Sequence, residues 1–179
     1  MTDQLSAKDW LDEGLRTLAT SGFTALKAEP LAKAMGVSRG SFYWHFADVE
    51  AFHAAVLQHW REVAVEQVIT AIDASLPQQS PIEQLLRRAF GRKPALESAI
   101  RSWAGIDPVT RAAVQGVDRR RLGYVEDLLE ASGLPRGVAR ARAQVLYWAF
   151  LGFALSDDAL PRGRQTAVLD ELIRIASRS

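Results

Sequence analysis

The chain has 179 residues and a formal net charge of +1, with 48% hydrophobic and 24% charged residues. This composition is ordinary for a soluble globular protein of one domain or two small ones, and the small net charge gives no support of its own to nucleic-acid binding. Because the sequence contains no cysteine, disulfides, thiolate metal sites and cysteine nucleophiles are excluded. The N-terminus lacks the basic start and the apolar stretch of a signal peptide, so a cytoplasmic location is predicted.

A first helix is predicted to begin at Ser6, because Ser6 followed by Asp9 is the pattern of a capping box. Apolar residues then recur at helical spacing from Trp10 onwards, until Gly22 ends the helix. A second helix is expected to start near Pro30, which suits the first turn of a helix. The first helix is therefore predicted to brace the segment that follows it.

Residues 31–46, with the sequence LAKAMGVSRGSFYWHF, have the pattern of a helix-turn-helix. Gly36 can adopt the positive φ that ends one helix sharply, and the Ser38 hydroxyl is expected to cap the next helix. Two short helices joined in this way cross at a steep angle, as in a DNA-docking pair.

The second helix of the pair, from Arg39 to about His45, is predicted to bury one face and expose the other. At helical spacing Phe42 and Phe46 share one face, which defines the buried side. The opposite face and its shoulders carry Arg39, Gly40, Ser41, Tyr43, Trp44 and His45. Two large aromatic side chains are thus predicted to face solvent. The alternative is that another segment covers Tyr43 and Trp44.

A DNA duplex accounts for more of these residues than the alternative does. Gly40 costs about 1 kcal/mol relative to alanine inside a helix, which makes sense if the backbone must approach a large partner closely. Arg39 can bond to a guanine edge or a phosphate, and Ser41, Tyr43, Trp44 and His45 can contact phosphates, sugars or base edges. No acidic residue lies between positions 33 and 46.

Four short matches carry a resemblance to a known family: Gly22-Phe23, Leu31-Ala32, Gly36-Val37-Ser38, and the run from Gly40 to Phe46 directly before an Asp-capped helix. With this spacing, the first third of the chain resembles the DNA-binding domain of the TetR family of bacterial regulators. The resemblance implies a DNA-binding domain at residues 1–47 and a helical effector-binding and dimerisation domain at residues 48–179.

The chain departs from the family pattern at two places. Leu26 and Lys27 stand where the family usually has a pair of threonines, and Val49 stands where a phosphate-binding lysine often opens the next helix. Some phosphate contacts are therefore expected to be weaker or relocated, with Lys27 as the nearest substitute. The DNA-binding residues predicted from the motif and the resemblance are Lys27, Ser38, Arg39, Gly40, Ser41, Tyr43, Trp44 and His45.

The remaining chain contains helix patterns only. A long helix is predicted from an Asp48 cap towards Ser75, with an apolar side that includes Val63. Further helices are predicted after Ser80-Pro81, from about Pro94 to Ala104, and from Asp107-Pro108 to Ala131 with a break near Gly116. Since no alternating strand pattern occurs, the predicted fold class is all-α.

Residues 143–155, AQVLYWAFLGFAL, contain Gln144 as the only strongly polar residue. A helix of this length is too short to span a bilayer, so we expect it to be buried on both sides. Together with a last helix from about Arg164 to Ser177, it predicts a four-helix bundle across a two-fold axis, which is also how TetR-like proteins dimerise. Purely internal use of both helices is the alternative. The candidate interface residues are Val145, Ala149, Gly152, Leu155, Val168 and Leu172.

Large aromatic side chains in the helical part suggest a small-molecule site. Trp60, Phe90, Trp103 and Tyr147 are candidates for lining a pocket for an apolar or aromatic effector, since pockets between bundled helices recur. The alternative is that each of the four simply packs in a core.

No enzyme is predicted, because no phosphate loop, nucleophile elbow or paired-carboxylate motif is present. The three histidines have no metal-ligand spacing, so neither a metal nor a cofactor is expected. Together, these patterns predict a dimeric DNA-binding transcriptional regulator: a repressor released from a near-palindromic operator by a small apolar or aromatic effector. The alternative is a helical protein-protein adaptor that uses the motif structurally; it would not need Arg39, Gly40 and Ser41 arranged for a duplex.

Overall fold

The computed structural model describes residues 5–75, 80–92, 94–157 and 160–177. Within these ranges the chain is helical and contains no strand, which confirms the predicted all-α class. The α-helices are α1 (Ala7–Ser21), α2 (Ala28–Ala34), α3 (Arg39–Tyr43), α4 (Val49–Arg61), α5 (Gln67–Asp73), α6 (Pro81–Gly91), α7 (Ala95–Ile106), α8 (Pro108–Ala131), α9 (Arg136–Leu155) and α10 (Arg162–Ser177). A single 3₁₀ turn (Phe23–Ala25) joins α1 to α2.

Side-chain caps fix where several of these helices begin. The Asp9 carboxylate accepts from the Ser6 N–H at 2.7 Å, and the Ser6 hydroxyl accepts from the Asp9 N–H at 3.3 Å, which completes the predicted capping box. At the start of α4, the carboxylate of Asp48 accepts from the Ala51 N–H at 2.6 Å. Each cap satisfies an amide that the helix itself leaves without a partner.

The predicted long helix after Asp48 is interrupted by a π-helical segment (Glu62–Glu66) between α4 and α5. A π turn accommodates one extra residue, so it moves the buried face by about one position. The buried residues accordingly follow α-helical spacing through Trp60, after which Val65 is buried and Val63 is only half-buried. The predicted helical run from Asp48 towards Ser75 is therefore confirmed, but it is not α-helical throughout.

Helix α8 runs without a break past Gly116, so the interruption expected there does not occur. Buried residues on both sides, Val114 and Val117, tie that part of the helix to its surroundings, and this packing outweighs the cost of about 1 kcal/mol that glycine adds in a helix. Gly133 lies just after the end of the helix, and its φ of +97° allows the Leu134 N–H to bond back to the Leu129 carbonyl.

The chain divides into two compact units. The first consists of Met1–Ala64 and Ala95–Val114, and the second of Val65–Pro94 and Gln115–Ser179. In the first unit α1 packs against α4 and α7. Gly14 of α1 permits the close approach of α4, because a Cβ at this position would lie 2.9 Å from the ring of Phe52.

The second unit is built around one apolar cluster. Its buried residues come from α6, α8, α9 and α10 and include Leu86, Leu129, Ala143 and Leu172. The apolar stripes of α9 and α10 thus supply part of the core of their own chain. Within the described ranges, no helix is both long enough and apolar enough to cross a membrane.

Candidate nucleic-acid interface

The turn between α2 and α3 has the geometry that the sequence predicts. Gly36 has a φ of +69°, and the Val37 N–H donates to the Ala32 carbonyl at 3.0 Å. A residue with a Cβ is strained at this φ by roughly 1–2 kcal/mol, so glycine suits the turn. Helices α2 and α3 pack directly against each other, as the helix-turn-helix requires.

Phe42 anchors helix α3 to the first unit. Its side chain is fully buried, and its ring lies 5.4 Å from that of Trp10, 5.3 Å from that of Phe46 and 5.1 Å from that of Phe52. The contacts with Trp10 and Phe52 are edge-on, an arrangement that is favourable beyond the area it buries. Because α3 has only five residues, its position depends on this one side chain far more than on its own hydrogen bonds.

The opposite face of α3 is open. Trp44 is 85% exposed, so the described chain leaves most of it open. Tyr43 is 44% exposed, and its ring packs edge-on against that of Phe42. The Arg39 guanidinium lies over the Tyr43 ring, 5.6 Å from its centroid. Arg39 and the exposed parts of Tyr43 and Trp44 therefore lie on the outer side of a helix whose inner side is anchored by Phe42.

Ser38 and Gly40 lie at the start of the same helix. Ser38 occupies the N-cap with extended backbone, but its hydroxyl accepts no hydrogen bond from the helix amides, so the predicted side-chain cap is wrong. A Cβ at Gly40 would meet only the Ser38 hydroxyl oxygen, at an ordinary 3.6 Å. Packing within the chain thus gives no reason for glycine here, which leaves room for the close approach of an outside partner.

The other predicted DNA-binding residues border this face. Ser41 and His45 are half-buried, with the His45 ring 6.3 Å from that of Phe46, whereas Lys27 is exposed at the N-cap of α2. The exposed surface formed by Arg39, Gly40, Tyr43 and Trp44 is called the α3 face below.

Hydrogen bonds and an ion pair brace the motif from α1 and α4. The Nε2 atom of His53 donates to the Leu26 carbonyl at 2.9 Å, just before α2. His59 bonds to the Asp12 carboxylate at 2.6 Å, which ties α4 to α1 and places this histidine at the edge of the core. The hydrogen bond from the Lys8 ammonium and, to a smaller extent, the hydrogen bond with His59 hold the pKa of Asp12 below its usual range.

The four aromatic candidates for effector binding are divided between the two units. Trp60 and Trp103 are buried in the first unit, and Phe90 and Tyr147 are buried in the second. Phe150, which the sequence analysis does not single out, joins the second pair: its ring lies 6.3 Å from that of Phe90 and 6.1 Å from that of Tyr147.

Polar groups accompany this second pair. The Tyr147 hydroxyl donates to the Asp118 carboxylate at 2.6 Å, and the Arg121 guanidinium lies 5.5 Å from the centroid of the Phe150 ring. Asp118 and Arg121 are the two ends of the run Asp118-Arg119-Arg120-Arg121, a charge pattern that by itself favours a solvated helix face. In the structure, part of that run faces an aromatic cluster instead.

The candidate interface residues differ in exposure. Val145, Leu155 and Val168 are exposed, as is Gly152, while Ala149 is half-buried and Leu172 lies in the core of its own chain. Trp148, which the sequence analysis does not name, is 64% exposed. Its helical spacing from Val145, Gly152 and Leu155 could have identified it, since these four positions share one side of α9. They are called the α9 face below.

Residues 11–56 match the family model of the bacterial regulatory proteins of the TetR family. The match begins inside α1 and ends inside α4, so it contains the whole helix-turn-helix and the α3 face. No curated protein matches the chain significantly.

The fold is similar to solved structures over nearly the whole chain. A protein from Rhodococcus sp. assigned to the TetR-family transcriptional regulators has a TM-score of 0.67 at 14% identity, with 96% of this chain and 99% of that chain covered. Another from Mesorhizobium loti has a TM-score of 0.69 at 17% identity, covering 95% and 94% of the two chains. The multidrug-binding protein EbrR, solved with imidazole bound, has a TM-score of 0.59 at 24% identity, covering 95% and 96%. At these identities the similarity concerns the fold.

Proposed function

We propose that this chain, whose residues 11–56 match the family model of the TetR regulators, is a TetR-family transcriptional regulator: a dimeric repressor that a small apolar or aromatic effector releases from a near-palindromic operator. In this proposal residues 1–47 form the DNA-binding domain, residues 48–179 serve dimerisation and effector binding, and the protein acts in the cytoplasm without enzymatic activity. The observation that carries it is the open α3 face, seated on Phe42 and free of acidic groups.

The chemistry of the α3 face suits a DNA major groove. An arginine can bond bidentately to a guanine edge, and tyrosine, tryptophan and serine can donate to phosphate oxygens. The Arg39 side chain already lies against the Tyr43 ring, which limits the freedom that it would lose on binding. Lys27, exposed ahead of α2, would add a phosphate contact.

Replacing Arg39 by alanine is expected to weaken operator binding by about 1–3 kcal/mol if this side chain bonds to a base. Tyr43→Phe is expected to weaken it less, since it removes one hydroxyl, and neither change should alter thermal stability. The measurement is a fluorescence anisotropy titration with a duplex that the wild-type protein enriches from genomic fragments.

Arg140→Ala is the matched control for Arg39→Ala, because it removes the same charge from an exposed position on α9. It should bind the duplex like the wild type. If Arg39→Ala and Tyr43→Phe also bind like the wild type, the α3 face is not the recognition surface. Affinity for the duplex should also fall steeply with added salt, as phosphate contacts require.

The α9 face supports the dimer part of the proposal. Exposed apolar side chains in such a row are unusual on a monomer and mark an interaction site. A second copy across a two-fold axis would cover this row with its own α9 and α10. The α9 and α10 helices of the two copies would then form a four-helix bundle. The two α3 faces would then contact half-sites about 34 Å apart, one turn of DNA, or a multiple of that distance.

The aromatic cluster of the second unit is where we place the effector. Phe90, Tyr147 and Phe150 offer ring faces, while Arg121 and the bonded pair of Tyr147 and Asp118 offer polar groups for orientation. Mostly apolar linings with a few convergent polar groups are typical of small-molecule sites. EbrR, a multidrug-binding protein of the same fold, provides a precedent for ligands in this class of protein.

Effector binding is expected to be reciprocal with operator binding. A compound that weakens operator affinity by a given factor must bind the operator complex more weakly by that same factor. A panel of small aromatic and aliphatic compounds should therefore contain members that lower the affinity for the operator. Phe150→Ala should reduce the effect of these compounds, while its affinity for the operator without any compound should equal that of the wild type. If compounds bind and none of them changes the affinity for the operator, the second unit serves dimerisation only.

A further inference from the structure

Three rings from separate helical elements of the first unit contact one another. The Trp103 ring of α7 stacks on the Phe23 ring of the 3₁₀ turn, with centroids 4.5 Å apart and planes only 17° from parallel. The His53 ring of α4 lies edge-on to both, 5.5 Å from Trp103 and 5.0 Å from Phe23. We call Phe23, His53 and Trp103 the three-ring cluster.

The cluster holds the residues that directly precede the helix-turn-helix. Phe23 begins the 3₁₀ turn, and Leu26, which ends it, accepts the hydrogen bond from His53 through its carbonyl oxygen at 2.9 Å. Lys27 follows as the N-cap of α2, where no side chain caps the helix. A turn of three residues has few bonds of its own, so the start of α2 depends on its neighbours. These are α1, which packs against both the turn and α2, α4 through His53, and α7 through Trp103.

Among the described residues, Trp103 and Trp10 are alike in having a buried indole N–H without a hydrogen-bond partner. The Trp103 side chain is 3% exposed. A buried donor without a partner is costly, and phenylalanine would offer a ring without that cost. The Trp103 side chain therefore contributes to the three-ring cluster through its stack on Phe23 and its edge-on contact with His53, not through a hydrogen bond.

We propose that Trp103 is a positioning residue for DNA binding: through the three-ring cluster, α7 sets the placement of α2, and thereby the operator affinity of the α3 face. This inference rests on the proposed function, and it gives α7, a helix far from the motif in sequence, an indirect role in placing the DNA-binding helices.

The test compares three variants. Trp103→Leu removes the ring, Trp103→Phe keeps a ring without the N–H, and Trp60→Leu removes an equally buried tryptophan of the same unit that is not in the cluster. Affinity is measured for a duplex that the wild-type protein selects from a random-sequence pool, at a temperature where circular dichroism shows each variant folded. In the same samples, amide NMR shifts of residues 27–38 report the placement of α2.

Trp103→Leu is expected to lose about tenfold in affinity and to shift the amides of α2. Trp103→Phe should keep most of the wild-type affinity and most of the wild-type amide shifts. Trp60→Leu should bind the duplex like the wild type. If Trp103→Leu does not fold, Phe23→Leu removes the same stack by replacing its other ring, which is only half-buried. A folded Trp103→Leu or Phe23→Leu protein with wild-type affinity overturns the inference.

The two proposals fail in different ways. A wild-type protein that selects no duplex contradicts the proposed function, and the amide shifts then decide the positioning role alone. Unchanged shifts in a folded Trp103→Leu protein contradict that role whether or not DNA binds.

Discussion

Replacing Phe42 by alanine is expected to destabilise the first unit by about 3–5 kcal/mol, the usual cost of removing a fully buried phenylalanine. Three aromatic rings, those of Trp10, Phe46 and Phe52, lose their common neighbour. Their surroundings cannot collapse to fill the space, because each ring is itself buried. Hydrogen–deuterium exchange followed by mass spectrometry should show faster exchange in peptides of α1, α3 and α4.

The adjacent aromatic residue on the outside of the same region supplies the control. Trp44→Ala removes an even larger side chain, but one that is 85% exposed, so its effect on stability should stay within about 0.5 kcal/mol. Operator binding should fall in both variants, through unfolding in Phe42→Ala and through a lost contact in Trp44→Ala. Slow exchange in Phe42→Ala would show that α3 is held by something other than this ring.

Introducing a charge at Trp148 is expected to dissociate the dimer. Trp148→Asp deletes the largest exposed apolar side chain of the α9 face and would place a carboxylate at the centre of the proposed interface. Losses at such central aromatic positions are commonly 2 kcal/mol or more, so we expect the dissociation constant to rise by about a hundredfold. Sedimentation velocity at micromolar concentration measures this directly.

Val109→Asp is the matched control for Trp148→Asp. Val109 is also an exposed apolar residue, but it lies in the first turn of α8, where an acidic side chain is well tolerated. This variant should remain dimeric and bind the operator. A wild-type protein that sediments as a monomer, or a Trp148→Asp protein that sediments as a dimer, would contradict the proposed interface.

Local chemistry made much of the fold predictable. The caps at Ser6 and Asp48 depend on a side chain and an amide only three residues away, and the turn at Gly36 depends on one backbone angle. The inward and outward faces of α3 follow from helical spacing alone, which is why the exposure of Tyr43 and Trp44 could be predicted correctly.

Features that depend on distant contacts were not predictable in the same way. Ser38 occupies the expected cap position, yet its hydroxyl makes no cap, because a local pattern does not determine a side-chain rotamer. The π turn at Glu62–Glu66 depends on which residues pack on either side of it, and nothing in the local sequence excludes a regular α-helix there. The stack of Trp103 on Phe23 joins residues far apart in the sequence, so each looked like an ordinary core residue by itself.

The discontinuous first unit has a consequence for biosynthesis. Since the unit needs Ala95–Val114 as well as Met1–Ala64, it cannot be completed while only its first stretch has left the ribosome. At about 5–20 residues per second, several seconds pass before α7 emerges to cover α1. During that interval the nascent chain exposes apolar surface that chaperones can bind. For the same reason, a chimera in which only the N-terminal segment is exchanged would pair α1 of one protein with α7 of another.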